Sequence, residues 1–552
     1  MDARLIPGNV KSPASRLERN VRRAAGHAVP AALSLLLALV ALVPCAVRAE
    51  APESGAGATF DVFEFRVRGA TAIPPRDIEA AVYPMLGENR SISDVERARD
   101  ALADLYRSRG YGAVNVDIPE QDVVDGIVRL QVTEGKVGVV RVTGARYFSS
   151  GQIRQAVPSL RSGEVVNLPA LQSELAAVNR RSPDRTVTPV LRTGKTPGTV
   201  DVDLKVKDDL PLKAQLEVNN RYTVDTSHTR LNASVSYGNL FQKFHSLSLM
   251  YQTAPEDPED ARVFAATYLA PFGERGDVLA AYYVRTDSDV TTVGSLSVIG
   301  AGNIYGMRYV RPLPGSDGLS QGVTLGADYK DFNQTVRLED GQDQAPISYV
   351  NWSAAYQGSL RAERSTLDLD LAANFGLRGF VNGPDEFAYN RYNANPNYFY
   401  MRGGLRYVSA LPVPGSLLAR FDGQLAFEPL ISNEQFAVGG AESVRGYLEA
   451  EQLGDRGFSA SLEWNSPPIP PLWGDWMGGS YGLLFVDGGM VGIIDALPGQ
   501  AASTDLLSAG VGFRLLPLRS LVANVDWAYP FVSANPTRAG DWRMLFQVKY
   551  DF

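Results

Sequence analysis

One cysteine and three histidines are all that the chain offers to thiol, imidazole or metal chemistry. The cysteine, Cys45, falls in a leader-like segment, so a mature chain has no thiol and no disulfide. His27 lies in that segment too, and His228 and His245 are expected on strand faces. A zinc site, a Ser-His-Asp triad or a Cys-His pair needs partners this composition does not supply. No phosphate-binding loop is present, and no nucleophile–base constellation can be assembled. The net charge of −8 and the lack of any basic stripe argue against nucleic acid. The chain therefore reads as no enzyme, with no cofactor and no metal. Long apolar runs are missing as well. The run Ala31–Val43 falls short of the roughly 20 residues a membrane-spanning helix needs, and no later run approaches that length. If the chain crosses a membrane, it crosses as a barrel.

Residues 1–49 carry the features of a secretory signal. Arg16, Arg19, Arg22 and Arg23 form a basic region, Ala31–Val43 the apolar one, and Val47-Arg48-Ala49 a cleavage-like end. A lipoprotein signal at Cys45 is the competing reading, disfavoured because Pro44 stands where a small residue is wanted.

Residues 60–134 predict a small α/β module. Phe63, Phe65 and Val67 alternate with polar residues and end at Gly69, a strand signal. A short helical run follows over Ile78–Leu86. Ser93-Asp-Val-Glu96 has the spacing of a capping box, opening a helix with Val95, Ala98, Leu102, Leu105 and Tyr106 on one face. Strands are expected over Ala113–Ile118 and Ile127–Val132. Residues 135–209 repeat the plan, with Val140-Arg-Val-Thr-Gly144 echoing Phe65-Arg-Val-Arg-Gly69 at a spacing of 75 residues (144 minus 69). Helices are expected near Ser150–Val157 and Pro169–Asn179, and strands near Val187–Arg192 and Thr199–Val206. Two tandem modules is the economical reading, one larger α/β domain the alternative.

From residue 210 to 552 the period is two. Ala214, Leu216 and Val218 alternate with polar residues, as do Leu231–Tyr237, Leu247–Tyr251, Leu367–Leu371 and Ala523–Tyr529. Apolar-out, polar-in alternation sustained in this way predicts a transmembrane β-barrel of about 16 antiparallel strands. A soluble β-sandwich array is the competitor. The final stretch supports the barrel: Phe546, Val548, Tyr550 and Phe552 share one face, together with Trp542 and Met544, in the manner of a terminal barrel-insertion strand. Odd-to-even connections would then face outward, including long ones at Gln334–Pro346, Arg378–Asn397, Glu428–Gly457 and Met490–Asp505.

The sixth of these holds Gln435-Phe-Ala-Val-Gly-Gly-Ala-Glu-Ser-Val-Arg-Gly-Tyr447. Its glycines make it a loop by local rules, yet Phe436, Val438, Val444 and Tyr447 have no reason to be in an exposed one. An ordinary surface turn is the alternative to a loop folded into the lumen. Arg445 needs a carboxylate there, and the next strand offers Phe485-Val-Asp487-Gly-Gly489, where Phe485, Asp487 and Gly489 share a face. An Arg445–Asp487 ion pair inside the lumen is expected.

Val444-Arg445-Gly446-Tyr447 and Phe485-x-Asp487-x-Gly489 resemble the paired motifs of the outer-membrane superfamily containing the BamA insertases and the TpsB transporters of two-partner secretion. Asn179–Arg185, Leu191–Asp201 and Gln435–Gly440 resemble the TpsB branch, the haemolysin secretion/activation proteins. The resemblance spans residues 60–552. It implies two periplasmic POTRA domains, a 16-stranded barrel in the bacterial outer membrane, and export of an unfolded TpsA-type exoprotein captured by the POTRA domains. Implied partners are that exoprotein, outer-membrane lipid and, during biogenesis, the barrel assembly machinery. An insertase for other barrels is the nearest alternative; a porin or adhesin has no need of the modules. One departure stands out: residues 50–59 are too short for the plug helix and linker with which many TpsB proteins begin, so no plug helix is expected.

Overall fold

The computed structural model describes residues 59–552 apart from 225, 259, 274, 288–289, 294–295, 339–340, 378, 380, 382, 470–477 and 519. The leader-like segment, with Cys45 and His27, and almost all of the 50–59 segment lie outside the described residues. The chain forms two compact units that part between Pro211 and Leu212.

The N-terminal unit contains the two modules. In the first, strands β1 (Phe60–Val62) and β2 (Glu64–Arg68) lead into helix α1 (Pro75–Val82), strand β3 (Gly87–Arg90), helix α2 (Ile92–Ser108) and strands β4 (Val114–Asp117) and β5 (Ile127–Glu134). The sheet order is β2-β5-β4, with β2 and β5 parallel. The small β1–β3 ladder is additional to the expected plan. Helix α2 begins one turn-position earlier than its sequence signal: Ser91, not Ser93, is the N-cap, with Asp94 closing the capping box. Ser91 has the extended backbone a cap requires, whereas Ser93 is already helical. The helices bury Ile78, Val95, Ala98, Leu102 and Tyr106 against the sheet, the face the periodicity pointed to.

The second module repeats this: β6 (Lys136–Thr143), α3 (Ser150–Gln155), α4 (Leu168–Arg180), β7 (Arg185–Thr193) and β8 (Thr199–Asp208), with sheet order β6-β8-β7. The repeat extends to detail. Gly69 and Gly144 both have φ of +86° and both sit against the third strand, where an added Cβ would fall 2.2 Å from the Val132 carbonyl oxygen or 2.3 Å from that of Val206. Only glycine fits either place. Two residues beyond each of those carbonyls stands a buried carboxylate that gathers the turn after the glycine. Glu134 accepts from the Thr71 and Ala72 amides (2.7 and 2.8 Å) and the Tyr106 hydroxyl (2.8 Å). Asp208 accepts from the Arg146, Tyr147 and Phe148 amides (2.9, 2.8 and 3.2 Å).

The C-terminal unit is a closed antiparallel barrel of 16 strands. In chain order these are β9 (Leu212–Asn219), β10 (Arg230–Leu240), β11 (His245–Thr253), β12 (Val263–Phe272), β13 (Asp277–Thr286), β16 (Ala301–Ser316), β17 (Leu319–Leu338), β18 (Gly341–Arg361), β19 (Ser365–Gly376), β20 (Phe399–Ala410), β21 (Ser416–Ala426), β24 (Arg456–Asn465), β25 (Tyr481–Gly492), β26 (Ser503–Leu518), β27 (Leu521–Pro530) and β28 (Arg543–Asp551). A β14–β15 hairpin (Val290–Val293, Leu296–Ile299) and a β22–β23 pair (Phe436–Val438, Gln452–Gly454) lie in the connections. Consecutive wall strands pair, and β28 returns to β9 to close the cylinder through Gln547↔Asn219 to Asp551↔Gln215. Closure leaves no sheet edge in the wall. Leu216, Leu247, Leu249, Tyr251, Leu371 and Trp527 are exposed on its outside, as the alternation requires. Val548 and Tyr550 lie there too, with Phe552 just past the strand, its amide bonded to the Ala214 carbonyl.

Three expectations are corrected. Gln334–Pro346 is not a long loop: β17 and β18 pair from Leu319↔Leu360 to Leu338↔Gly341, so a polar composition that reads as loop continues the hairpin ladder past the neighbouring strands. His228 is not on a strand but in the connection before β10, its ring 4.4 Å from that of Tyr222; His245 does begin β11. The lumen is not polar throughout. At the long-loop end, inward Val263, Val284, Ile304, Phe332 and Ile347 pack with loop residues in a dry core. Polar lining is needed only where a wall meets water, and here it meets protein.

Candidate functional site

The sixth outward connection, loop 6 (residues 427–455), turns into the barrel. A 3₁₀ turn at Ser432–Glu434 leads into β22, which pairs with β23 and leaves residues 439–451 as the tip. Val444 and Tyr447 are fully buried and Arg445 is 6% exposed.

Arg445 meets the wall through every face of its guanidinium. Nε and one terminal nitrogen form a fork on Asp487 at 2.7 and 2.9 Å, and the Arg445 amide adds a third bond to the same carboxylate at 3.1 Å. The other terminal nitrogen reaches Glu463 at 3.0 Å. Ser461 donates to Asp487 at 2.6 Å and accepts from Arg445 at 3.3 Å. The guanidinium carbon lies 3.4 Å from the Phe485 ring centroid, a stacked cation–π contact. Asp526 stands 3.9 Å away and is itself forked by Arg514 at 2.6 and 3.1 Å. A buried guanidinium is tolerated only with its donors satisfied and its charge opposed, and both conditions hold.

The neighbours of Arg445 fit the wall by shape. Gly489 is bare because a Cβ there would lie 3.0 Å from a Val444 methyl. Gly446, at φ +100°, lies flat on β26 and β27, where a Cβ would meet those of Ala528 and Ser508 at 3.3 and 3.5 Å. The Tyr447 hydroxyl donates to the Val532 carbonyl at 2.7 Å and accepts the Leu507 amide at 3.3 Å. Beneath the tip lies a polar cavity of about 250 Å³, lined among others by Arg221, Arg420, Glu442, Arg514 and Asp526.

Val444, Arg445, Gly446 and Tyr447 are thus brought together with Phe485, Asp487 and Gly489. Val548, Tyr550 and Phe552 belong to the outer surface and the closing strand, apart from this site, whereas Phe546 of the same strand is among the residues lining the cavity. Sequence reasoning missed Glu463, Ser461 and Asp526, although their inward parity was available from the alternation. It also missed two buried carboxylates of loop 6. Glu434 receives Lys330 of β17 and the hydroxyls of Tyr349 and Tyr400 (2.5 and 2.6 Å). Asp455 joins loop 6 to two other connections. Among the described residues, no group of His, Cys, Asp or Glu side chains has the arrangement of a metal site.

A closed 16-strand barrel with an inward loop clamped in its lumen, following small α/β modules, defines a modular barrel protein of the outer membrane. Comparison specifies the branch. The chain belongs to the haemolysin secretion/activation family ShlB/FhaC/HecB, whose profile matches residues 198–515, and a ShlB-type POTRA domain profile matches residues 60–135. It is 24% identical over 452 residues to the outer membrane transporter CdiB of Dickeya dadantii, covering 75% of this chain and 74% of that one. The fold is shared with CdiB from Escherichia coli at a TM-score of 0.57 and 19% identity, over 92% of this chain and 94% of that one. It is also shared with BamA from Haemophilus ducreyi lacking POTRA domains 1–3, at 0.55 and 16%, over 89% and 100%. The protein is a two-partner secretion transporter of the outer membrane, with its POTRA region in the periplasm. Members of the family are transporters that export secreted partner proteins.

Proposed function

We propose that this transporter serves a secreted TpsA-type exoprotein, which two POTRA domains (residues 60–134 and 135–209) capture unfolded and hand to the barrel (210–552). The shared glycine–carboxylate construction of the two modules supports counting the second as a POTRA domain. Capture proceeds by strand addition, which a three-stranded sheet with open edges invites. β7 is a poor edge, because the Asn179 side chain occupies the Val187 amide and carbonyl (2.8 and 3.1 Å) and Pro189 has no N–H. Among the described residues, no side chain bonds an amide of β2 or β4 in this way. The relatives include CdiB transporters and HuxB, a heme/hemopexin transporter; a dedicated cargo of comparable kind is our reading here, with no catalytic step.

The observation that carries this reading is the seating of Val444–Tyr447 against Phe485, Asp487 and Gly489, which makes loop 6 the part that positions the pore for transport. Supernatant and outer-membrane proteomes with and without the gene test it. Loss of one large secreted protein, with the membrane proteome intact, is expected. Broad depletion of other barrels would instead mean an insertase.

A further inference from the structure

The long-loop end of the barrel holds more than loop 6. Loop 5 (residues 377–398) carries helix α5 (Pro384–Asn390), whose Phe387 is 1% exposed and packs 5.7 Å from the Tyr349 ring and 6.2 Å from that of Tyr398. Leu430 and Ile431 of loop 6 complete this core together with inward residues of β12, β13, β16, β17 and β18. Further along, loop 6 bonds to β24, β25 and β26 through Arg445 and Tyr447, and to β28 through the Gly446 carbonyl, which accepts from Arg543 at 3.3 Å. Between them the two loops meet the wall almost all the way round. The apolar side chains of this core fill the lumen, and the hydroxyls of Tyr349 and Tyr400 are taken up by Glu434, so a passing chain meets no open path.

Asp455, with no exposure at all, ties the layer together. It accepts both arms of Arg391 from loop 5 (2.7 and 2.8 Å), the Leu430 amide of loop 6 (2.9 Å) and the Ile494 amide of loop 7, residues 493–502 (2.6 Å). Arg391 in turn donates to the Leu430 and Ile494 carbonyls at 2.8 and 3.0 Å. Next to this junction Asn393 of loop 5 bonds Asp495 of loop 7 at 3.0 Å, and both hold left-handed backbones, φ 59° and 54°. Asn and Asp take this backbone conformation readily, and here it lets the two loop tips meet side chain to side chain.

We propose that loops 5 and 7 form an outer gate over loop 6, locked by the Arg391–Asp455 pair, and that loop 5 must part from loop 7 for an exported chain to leave. Loop 6 alone is then not the whole barrier: freeing Arg445 from Asp487 leaves the outer layer shut. This inference rests on the export reading above, and the following experiment separates the two. Asn393→Cys and Asp495→Cys are combined and bridged from outside the cell with a short reducible thiosulfonate crosslinker, with each single-cysteine variant treated alike. Release of the secreted protein identified by gene deletion is followed. Bridging is expected to stop release and reductant to restore it, while the single variants continue. Release at the unbridged rate from bridged protein would overturn the gate. No release from untreated cells would overturn the export reading itself. Purified Asp455→Asn in planar bilayers gives a readout that needs no cargo: its ion conductance is expected to rise several-fold above the natural chain's, and equal conductance would overturn the lock.

Discussion

Asp487 takes three hydrogen bonds from a single residue, two from the Arg445 guanidinium and one from its amide. Side chain and backbone of the loop are therefore fixed by one carboxylate of the wall. Removing Asp487 leaves the buried guanidinium facing Glu463 without its fork, and removing Arg445 leaves Asp487 buried with Ser461 alone, a loss of up to about 3–5 kcal/mol. Arg445→Ala and Asp487→Ala should each lower secretion strongly while the barrel still assembles. Arg445→Lys should resemble them, because a lysine cannot make the fork, reach Glu463 and stack on Phe485 at once. Secretion assays alongside heat-modifiable gel mobility of the barrel check this; near-normal secretion from all three would remove the pair from the transport mechanism.

Gly489 makes a graded test of the same seat. With the Val444 methyl 3.0 Å and the Phe458 carbonyl oxygen 3.2 Å from the place of a new Cβ, Gly489→Ala should be accommodated only in part, since the methyl can shift more readily than the wall's backbone. Gly489→Leu should not, overpacking the contact at about 1–3 kcal/mol. Secretion is expected to fall in the order Gly, Ala, Leu, without loss of barrel from the membrane.

The Glu134 latch predicts acid sensitivity in the POTRA region. Burial pushes its carboxyl up, but hydrogen bonds from Thr71, Ala72 and Tyr106 outweigh that and hold it below the ordinary glutamate value of 4.5. Its contribution is complete above the unfolded value and is lost as pH falls through the lower folded one. The POTRA transition in calorimetry of the purified protein should therefore weaken as pH drops below about 4.5. Glu134→Gln should be less stable at neutral pH by about 1–3 kcal/mol and show a flatter acid response.

Ser508 makes the opposite case. Its hydroxyl is buried under Gly446 without a hydrogen-bond partner. Burying an unsatisfied hydroxyl is a cost, so Ser508→Ala should leave secretion unchanged and thermal stability equal or slightly higher. A marked loss would mean that the hydroxyl has a partner during transport.

What the sequence made legible follows from periodicity and from motif pairs. Leu216, Leu247 and Trp527 face lipid because a strand alternates, and Arg445 could be matched to Asp487 because parity places that carboxylate inside. Glu463 and Asp526 had the same parity but lacked a motif to single them out. The apolar outer core was hidden for a physical reason. Where loops fill the lumen, inward Val263, Val284 and Ile304 are as apolar as their lipid-facing neighbours, and the alternation fades. Arg391 and Asp455 pair between two connections, with Ile494 of a third, where no period operates. Glu134 and Asp208 stand 65 and 64 residues after Gly69 and Gly144 (134 minus 69, 208 minus 144), so the glycine repeat, carried further, would have found them.

The tip of loop 6 is made before the wall it rests on. Asp487, Leu507, Ala528 and Arg543 all come later in the chain, and Arg543 also meets Tyr222, just past the first wall strand, at 2.8 Å. The seat of Arg445 is therefore incomplete until the last strands are laid, and the final contact is made only when the two ends of the wall meet. Closing the seam and seating the loop are thus parts of one event: the same arginine of the last strand that reaches back to the first also holds the loop's backbone.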